Sequence, residues 1–287
     1  MVKPPWLKKR LPPYPDLLKV KGLLERTALH TVCEEARCPN LGECFSQGTA
    51  TFLILGEICT RDCGFCAIRH GIPSPPEEDE PERVAQAVAQ MGLRYAVITS
   101  VTRDDLPDGG ASFFARTIEA IRRKDPAIGV EVLIPDFRGD LSSLERVLGA
   151  SPDVLNHNLE TVPRLYPMVR PQADYGRSLC LLNRSKDLSP QILTKSGLML
   201  GLGERPEEVR DVMRDLREAG CDLLTIGQYL QPRIDRLPVR RYLPPEEFER
   251  YRQMGMEMGF RAVASGPFVR SSFHASEMLA SVGLRFS

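Results

Sequence analysis

Ala50-Thr-Phe-Leu-Ile-Leu55-Gly-Glu-Ile-Cys59-Thr-Arg-Asp-Cys63-Gly-Phe65-Cys66 is the stretch that decides the fold. Ala50–Leu55 is a short apolar run containing β-branched residues, and it reads as a buried strand. A C-x3-C-x2-C loop follows it directly, with Phe65 just before the last cysteine. The same kind of run recurs at Tyr95–Ser100, Val130–Ile134, Asp153–Asn156, Gly197–Gly201 and Leu223–Gly227, with a seventh at Phe260–Ala264. Helical spacing fills the intervals at Pro81–Met91, Ala111–Lys124, Leu141–Leu148, Tyr175–Asn183, Pro206–Ala219 and Pro244–Met258. Proline and acids open several of these segments, while Gly220 and Gly259 close two of them. Six strand–helix units imply a parallel sheet with right-handed crossovers. The expected fold is therefore α/β, a partial (β/α)6 barrel of the TIM kind with N-terminal and C-terminal extensions, and its site lies at the carboxyl ends of the strands. An open doubly wound sheet has the same periodicity and is the alternative. A loop just after the first strand faces the mouth of such a barrel, so the cysteines are placed where chemistry is expected.

Working outward, another triplet lies upstream and is the first in chain order: Cys33, Cys38 and Cys44, spaced C-x4-C-x5-C. Three thiolates hold three corners of an iron–sulfur cubane and leave one iron open. A zinc knuckle wants four closed ligands, and Cys44 or His70 could complete one. The first triplet by itself also suits a zinc site or core cysteines. The remaining pair, Cys180 and Cys221, reads as core.

The 287 residues are 42% hydrophobic and 26% charged with a formal net charge of +0, which suits a globular protein with a sizeable core and gives no global attraction to nucleic acid or an anionic membrane. No apolar run approaches the roughly 20 residues of a membrane span. The start, Met1-Val-Lys-Pro-Pro-Trp6, lacks the apolar centre of a secretory signal and the serines of a transit peptide. Two tight cysteine triplets without a signal favour metal in a reducing cytoplasm. Residues 1–30 are proline-rich and basic and read as an extended arm or a solvated tail. Lys8, Lys9 and Arg10 would let such an arm dock an acidic partner, and their neutralisation would then weaken binding more at low salt than at high salt. The expected division is 1–46 for a cluster-bearing extension, 47–265 for the barrel and 266–287 for a tail.

The second triplet, with its aromatic and its place after a first strand, resembles the loop of the radical S-adenosylmethionine superfamily. Both triplets together resemble the lipoyl synthase family, as do Arg103-Asp-Asp105, Asp108-Gly-Gly110, Pro135-Asp-Phe-Arg-Gly139, Asn156-His-Asn-Leu-Glu160, Thr194-Lys-Ser-Gly197, Gly201-Leu-Gly-Glu204, Gly227-Gln-Tyr-Leu-Gln-Pro232 and Arg270-Ser-Ser-Phe-His-Ala275. The likeness runs from about residue 30 to 276. It implies an enzyme, a sulfurtransferase that attaches sulfur at C6 and C8 of an octanoyl chain amide-linked to a lysine of a lipoyl carrier domain. The carriers implied are of the 2-oxoacid dehydrogenase E2 or glycine cleavage H protein type, and the reductant a ferredoxin or flavodoxin. The cofactors implied are two 4Fe–4S clusters and S-adenosylmethionine. The resemblance gives Cys59, Cys63 and Cys66 to the radical-generating cluster, and Cys33, Cys38 and Cys44 to an auxiliary cluster that donates sulfur. Ser272 falls to that second cluster as a fourth, easily displaced ligand, and is the one catalytic side chain the resemblance implies. A serine pair at this place also suits a turn or a cap. Phe65, Ala67, Ile68, Asn158, Glu160, Arg170, Gly201 and Glu204 are the expected contacts to S-adenosylmethionine. Phe273 stands where the family usually has tyrosine, which removes a phenol but not the serine ligand.

Overall fold

The computed structural model describes residues 3–8, 14–46, 50–284 and 286. The chain forms two compact units, one of Arg10–Arg61, Ile68–Leu155 and Phe286–Ser287, the other of Met1–Lys9, Asp62–Ala67 and Asn156–Arg285.

In the first unit the elements are α1 (Tyr14–Arg26), β1 (His30–Thr31), α2 (Val32–Glu35), α3 (Leu41–Ser46), β2 (Thr51–Ile54), β3 (Ile58–Cys59), β4 (Arg69–His70), α4 (Glu80–Gln90), β5 (Tyr95–Ser100), α5 (Ala111–Lys124), β6 (Gly129–Leu133), α6 (Leu141–Gly149) and β7 (Val154–Asn156), whose last residue opens the second unit. The sheet order is β1-β2-β5-β6-β7, with β2 and β5 in parallel register Thr51↔Val97 and β5 and β6 in register Tyr95↔Gly129. At the edge, β1 runs antiparallel to β2, with His30 opposite Leu53. The β5 and β6 strands are buried almost throughout, as the unbroken apolar runs require. The turn into α5 needs glycine: Gly110 has φ +90°, and a Cβ there would fall 2.2 Å from Leu55 Cδ1. At α6 the Asp140 carboxylate accepts the Ser143 N–H at 2.9 Å, the capping that fixes where the helix starts.

The expected extended arm is corrected by α1, a thirteen-residue helix that buries Val20, Leu23 and Leu24. Pro15 lies in the first turn, where its missing N–H has no helical partner to lose, and the leucines downstream recur at helical spacing. Lys9 and Arg10 of the basic run lie outside the described residues.

The second unit holds α7 (Tyr166–Val169), α8 (Tyr175–Leu188), β8 (Leu193–Leu200), α9 (Pro206–Glu218), β9 (Leu223–Gln228), α10 (Pro245–Glu257), β10 (Ala262–Gly266) and α11 (Ala275–Ser281). Strands β8, β9 and β10 are parallel neighbours, in register Lys195↔Leu223 and Ala262↔Leu223. The segment 156–160 runs alongside β8: the His157 N–H donates to Lys195 O at 3.0 Å and the Glu160 N–H to Gly197 O at 2.9 Å. Helix α8 is capped by Asp174, which accepts the Arg177 N–H at 2.6 Å, and continues beyond the expected Asn183 to Leu188. Parallel strands alternating with helices give the α/β class expected, a partial barrel of the TIM type. Among the described residues no helix is long and apolar enough to cross a membrane.

Candidate functional site

All eight cysteines are free thiols. In the first unit Cys33 sits on α2, Cys38 just beyond it and Cys44 on α3. The chain folds tightly between them, with the Cys38 N–H on Cys33 O at 3.0 Å and the Cys44 N–H on Asn40 O at 2.9 Å. Burial pushes the Cys33 thiol up to about 12, and the neighbouring charges of Cys38 and Cys44 push in the same direction against a hydrogen bond from the Thr51 backbone. The structure thus brings the upstream triplet together. A thiol so placed gives up its proton to a metal ion rather than to water, which fits a thiolate-ligated cluster.

Cys59 ends β3, and its Sγ accepts N–H groups from Arg61 at 3.4 Å and Thr102 at 3.3 Å, contacts that suit a thiolate. Arg61, inside the cysteine loop, is buried. Its Nε and Nη2 grip Asp104 at 2.7 and 2.9 Å, and Nη2 also donates to Asp136 at 2.6 Å. Burial works against its charge, but the two carboxylates prevail and hold its pKa above the ordinary arginine range. Arg103 is 1% exposed, donates to Leu55 O at 3.2 Å and pairs with Asp105 at 2.8 Å. A cavity of about 520 Å³ opens beside these loops, lined by Asp104, Asp105, Leu106, Phe137, Arg138 and Asp140 among others. Phe137, Arg138 and Gly139 all carry positive φ at its wall. His30, Glu35 and Glu57 approach one another as half-exposed groups, and Glu57 is already paired with Arg69. Ile68, an expected nucleoside contact, is half-buried at the start of this unit's second segment.

In the second unit the half-buried Cys63, Phe65 and Cys66 and the buried Ala67 lie on one short loop. Gly64 is wedged there, since a Cβ would fall 2.8 Å from Met168 O and 2.9 Å from Leu237 Cδ1. Asn158 Nδ2 donates to Glu160 Oε1 at 3.0 Å, and Asn158 Oδ1 is buried without a hydrogen-bond partner. Arg170 Nη1 donates to the carbonyls of Asn158 and Leu159 at 2.7 and 3.2 Å, which leaves Nε buried and unpartnered. Burial holds the Glu160 carboxyl above the ordinary carboxylate range, opposed by the positive charges of Arg170 and Arg270 and the bond from Asn158. Glu160 has φ +68°, a strained backbone for a non-glycine residue. A buried acceptor and a carboxylate on the segment 156–160, with a buried donor from Arg170 just after α7, fit the ammonium and carboxylate of an amino acid. Gly197 makes room for them, because a Cβ there would meet Asn158 Oδ1 and Thr225 Oγ1, each at 2.8 Å.

Gly201 has φ +106°, and the Glu204 carboxylate accepts the N–H groups of Gly201 and Leu202 at 2.5 and 2.9 Å. Glu204 therefore braces the turn after β8. Ser272 lies half-buried in the turn before α11, where the Phe273 N–H donates to Arg270 O at 3.1 Å and the Phe273 and His274 rings stand 4.1 Å apart. Sequence reasoning did not assign roles to Arg61, Arg103, Asp104 or Asp136. Their only signal was membership of the quoted motif blocks, and the carboxylate partners of Arg61 lie 43 and 75 positions away in the chain.

A model of the radical SAM superfamily matches residues 53–228, and a model of the N-terminal domain of lipoyl synthase matches residues 2–38. Among solved structures, methylornithine synthase has 13% identity and a TM-score of 0.55, over 86% of this chain and 74% of that one. The chain belongs to the radical SAM superfamily. Lipoyl synthase from Rubrobacter xylanophilus is 60% identical over 96% of this chain and 86% of the relative. That from Caldanaerobacter subterraneus is 57% identical over 95% of each. Within the superfamily, the chain belongs to the lipoyl synthase family. It is an enzyme, a radical-SAM sulfurtransferase that uses S-adenosylmethionine and 4Fe–4S clusters, with lipoyl carrier domains as its substrates.

Proposed function

We propose that this chain attaches sulfur at C6 and C8 of an octanoyl chain held on a carrier-domain lysine, and that its six N-terminal cysteines divide into two ligand sets for the task. Cys59, Cys63 and Cys66 would hold the cluster that binds S-adenosylmethionine, and Cys33, Cys38, Cys44 and Ser272 the auxiliary one. When bound, these groups supply the 5′-deoxyadenosyl radical and the sulfur. The protein's own work is to bind, orient and exclude water. Asn158, Glu160 and Arg170 hold the methionine portion. Phe65 packs near the adenine, the backbone of Ala67, Ile68 and Gly201 approaches the nucleoside, and Glu204 keeps the Gly201 turn in shape. The carriers are of the E2 or H protein type, the reductant is a small ferredoxin or flavodoxin, and the setting is the cytoplasm.

The observation that carries this reading is the pair of buried, unpartnered atoms Asn158 Oδ1 and Arg170 Nε, on two residues that both act on the Glu160 carboxyl, Asn158 by a hydrogen bond and Arg170 by its charge. The test is anaerobic: reconstituted protein with reductant, S-adenosylmethionine and a peptide bearing octanoyl-lysine, with the product read by mass spectrometry. Gain of two sulfurs with release of 5′-deoxyadenosine is expected. Deoxyadenosine without sulfur gain would move the substrate assignment, and neither product would overturn the reading.

A further inference from the structure

The loop that follows β9 is tied to the cysteine loop at several points within the second unit. The Leu237 N–H donates to Gly64 O at 2.9 Å, and the Leu237 side chain closes over the face of Gly64. Leu237 is itself fixed, because the buried Tyr229 hydroxyl donates to its carbonyl at 2.7 Å. On the other side, the Gly64 N–H donates to Val169 O at 3.0 Å and the Asp62 N–H to Gln172 Oε1 at 2.8 Å. The backbone of the cysteine loop is thus gripped from two segments.

One side chain completes the grip. Arg236 Nη1 lies 2.5 Å from Asp62 Oδ1, and the residue next to Asp62 is Cys63. The Arg236 side chain is 8% exposed whereas that of Asp62 is 46% exposed, so the guanidinium is the anchored partner and the carboxylate the part that needs holding. Gln231 Nε2 fixes the Arg236 backbone through its carbonyl at 2.7 Å, and the Arg236 N–H donates to Arg233 O at 3.1 Å. A guanidinium placed in advance loses less freedom on pairing than one that must be recruited from solvent. The contrast with Ile234, two residues away and 98% exposed, shows how selectively this loop turns one residue inward.

We propose that Arg236 is a positioning residue: through Asp62 it fixes the backbone that carries Cys63 and Cys66, and so sets how those thiolates present the cluster to S-adenosylmethionine. This rests on the reading of Cys63 and Cys66 as ligands.

The experiment compares the wild type with Arg236→Ala, Arg236→Lys, Asp62→Asn and Ile234→Ser. In the cluster-free proteins, hydrogen exchange of the peptide spanning Gly64 to Cys66 is measured. In the reconstituted proteins, the electron paramagnetic resonance line shape of the reduced cluster is recorded with and without S-adenosylmethionine, together with its cleavage rate. Arg236→Ala and Asp62→Asn are expected to speed exchange in that peptide and broaden the signal. Their cleavage rates should fall on the order of tenfold or more with little change in KM, as misplacement of a reacting group does. Arg236→Lys restores part of the rate, and Ile234→Ser behaves as wild type. Asp62→Asn is exposed and nearly isosteric, so it decides the matter even if Arg236→Ala fails to fold. Wild-type exchange, line shape and rate in Asp62→Asn would overturn the proposal. A wild-type protein that binds no iron would instead overturn the ligand assignment beneath it.

Discussion

Arg61 Nη2 donates to Asp136 Oδ1 across 2.6 Å, which joins the cysteine loop to the turn after β6 although the two residues are 75 positions apart. Both side chains are almost fully buried, at 5% and 0% exposure. Removing one partner of such a pair leaves an uncompensated charge. Arg61→Met is therefore expected to cost about 3 kcal/mol in urea denaturation of the cluster-free protein. The double variant Arg61→Met with Asp136→Asn should recover much of that loss. Equal stability of the single variant and the wild type would show that water already solvates this pair.

Glu160 gives a pH-dependent test. Its carboxyl is raised above the ordinary 4.5, with burial the main cause. The folded chain therefore holds the proton over a pH range in which the unfolded chain has lost it, and stability falls as pH rises through that range. Glu160→Gln has no such loss. It is expected to melt above the wild type at pH 8 and to converge with it below about pH 4.5. If Glu160 contacts the methionine portion as proposed, the same variant should bind S-adenosylmethionine more weakly by calorimetry, because an amide offers no negative charge to an ammonium group. A lower melting temperature at pH 8 would contradict the sign.

Ser272→Cys tests the proposed role of Ser272 as auxiliary ligand. A thiolate is a softer and firmer iron ligand than an alkoxide. Cleavage of S-adenosylmethionine is expected to persist, while sulfur transfer to the octanoyl peptide slows at least severalfold. Normal sulfur insertion by Ser272→Cys would remove lability of the serine bond from the mechanism.

Gly197→Ala pushes a methyl group against Asn158 Oδ1 and Thr225 Oγ1. The expected result is roughly tenfold weaker S-adenosylmethionine binding, equivalent to about 1.4 kcal/mol. Thiolate-bound iron content should stay the same, since the cysteines lie on another loop. Unchanged affinity would mean that Asn158 yields without consequence.

Much of this fold could be read along the chain because each element carried its own punctuation. Ala111–Lys124 was expected to the residue, and Tyr95–Ser100 likewise, the one from helical spacing and the other from a continuous β-branched run. Helix α1 was missed because the prolines ahead of it dominate the local composition, while its buried leucines are few. Helix α11 was missed because seven residues hold too little periodicity. The extension of β8 back to Leu193 was hidden by Thr194, Lys195 and Ser196, polar residues that are nonetheless fully buried. The cysteines and their spacing were visible at once. The pairings of Arg61 with Asp104 and of Arg236 with Asp62 were not, because tertiary contacts between 43 and 174 positions apart leave no local pattern.

Cys180 is the one exposed thiol of the eight, on α8, whereas Cys221 is fully buried and burial pushes its thiol up to about 12. If the other six are sheathed by iron, a maleimide added to the intact enzyme finds a single address. The chain thus carries a ready attachment point for a spin label or a fluorophore, with no engineered cysteine needed and none of the metal ligands put at risk.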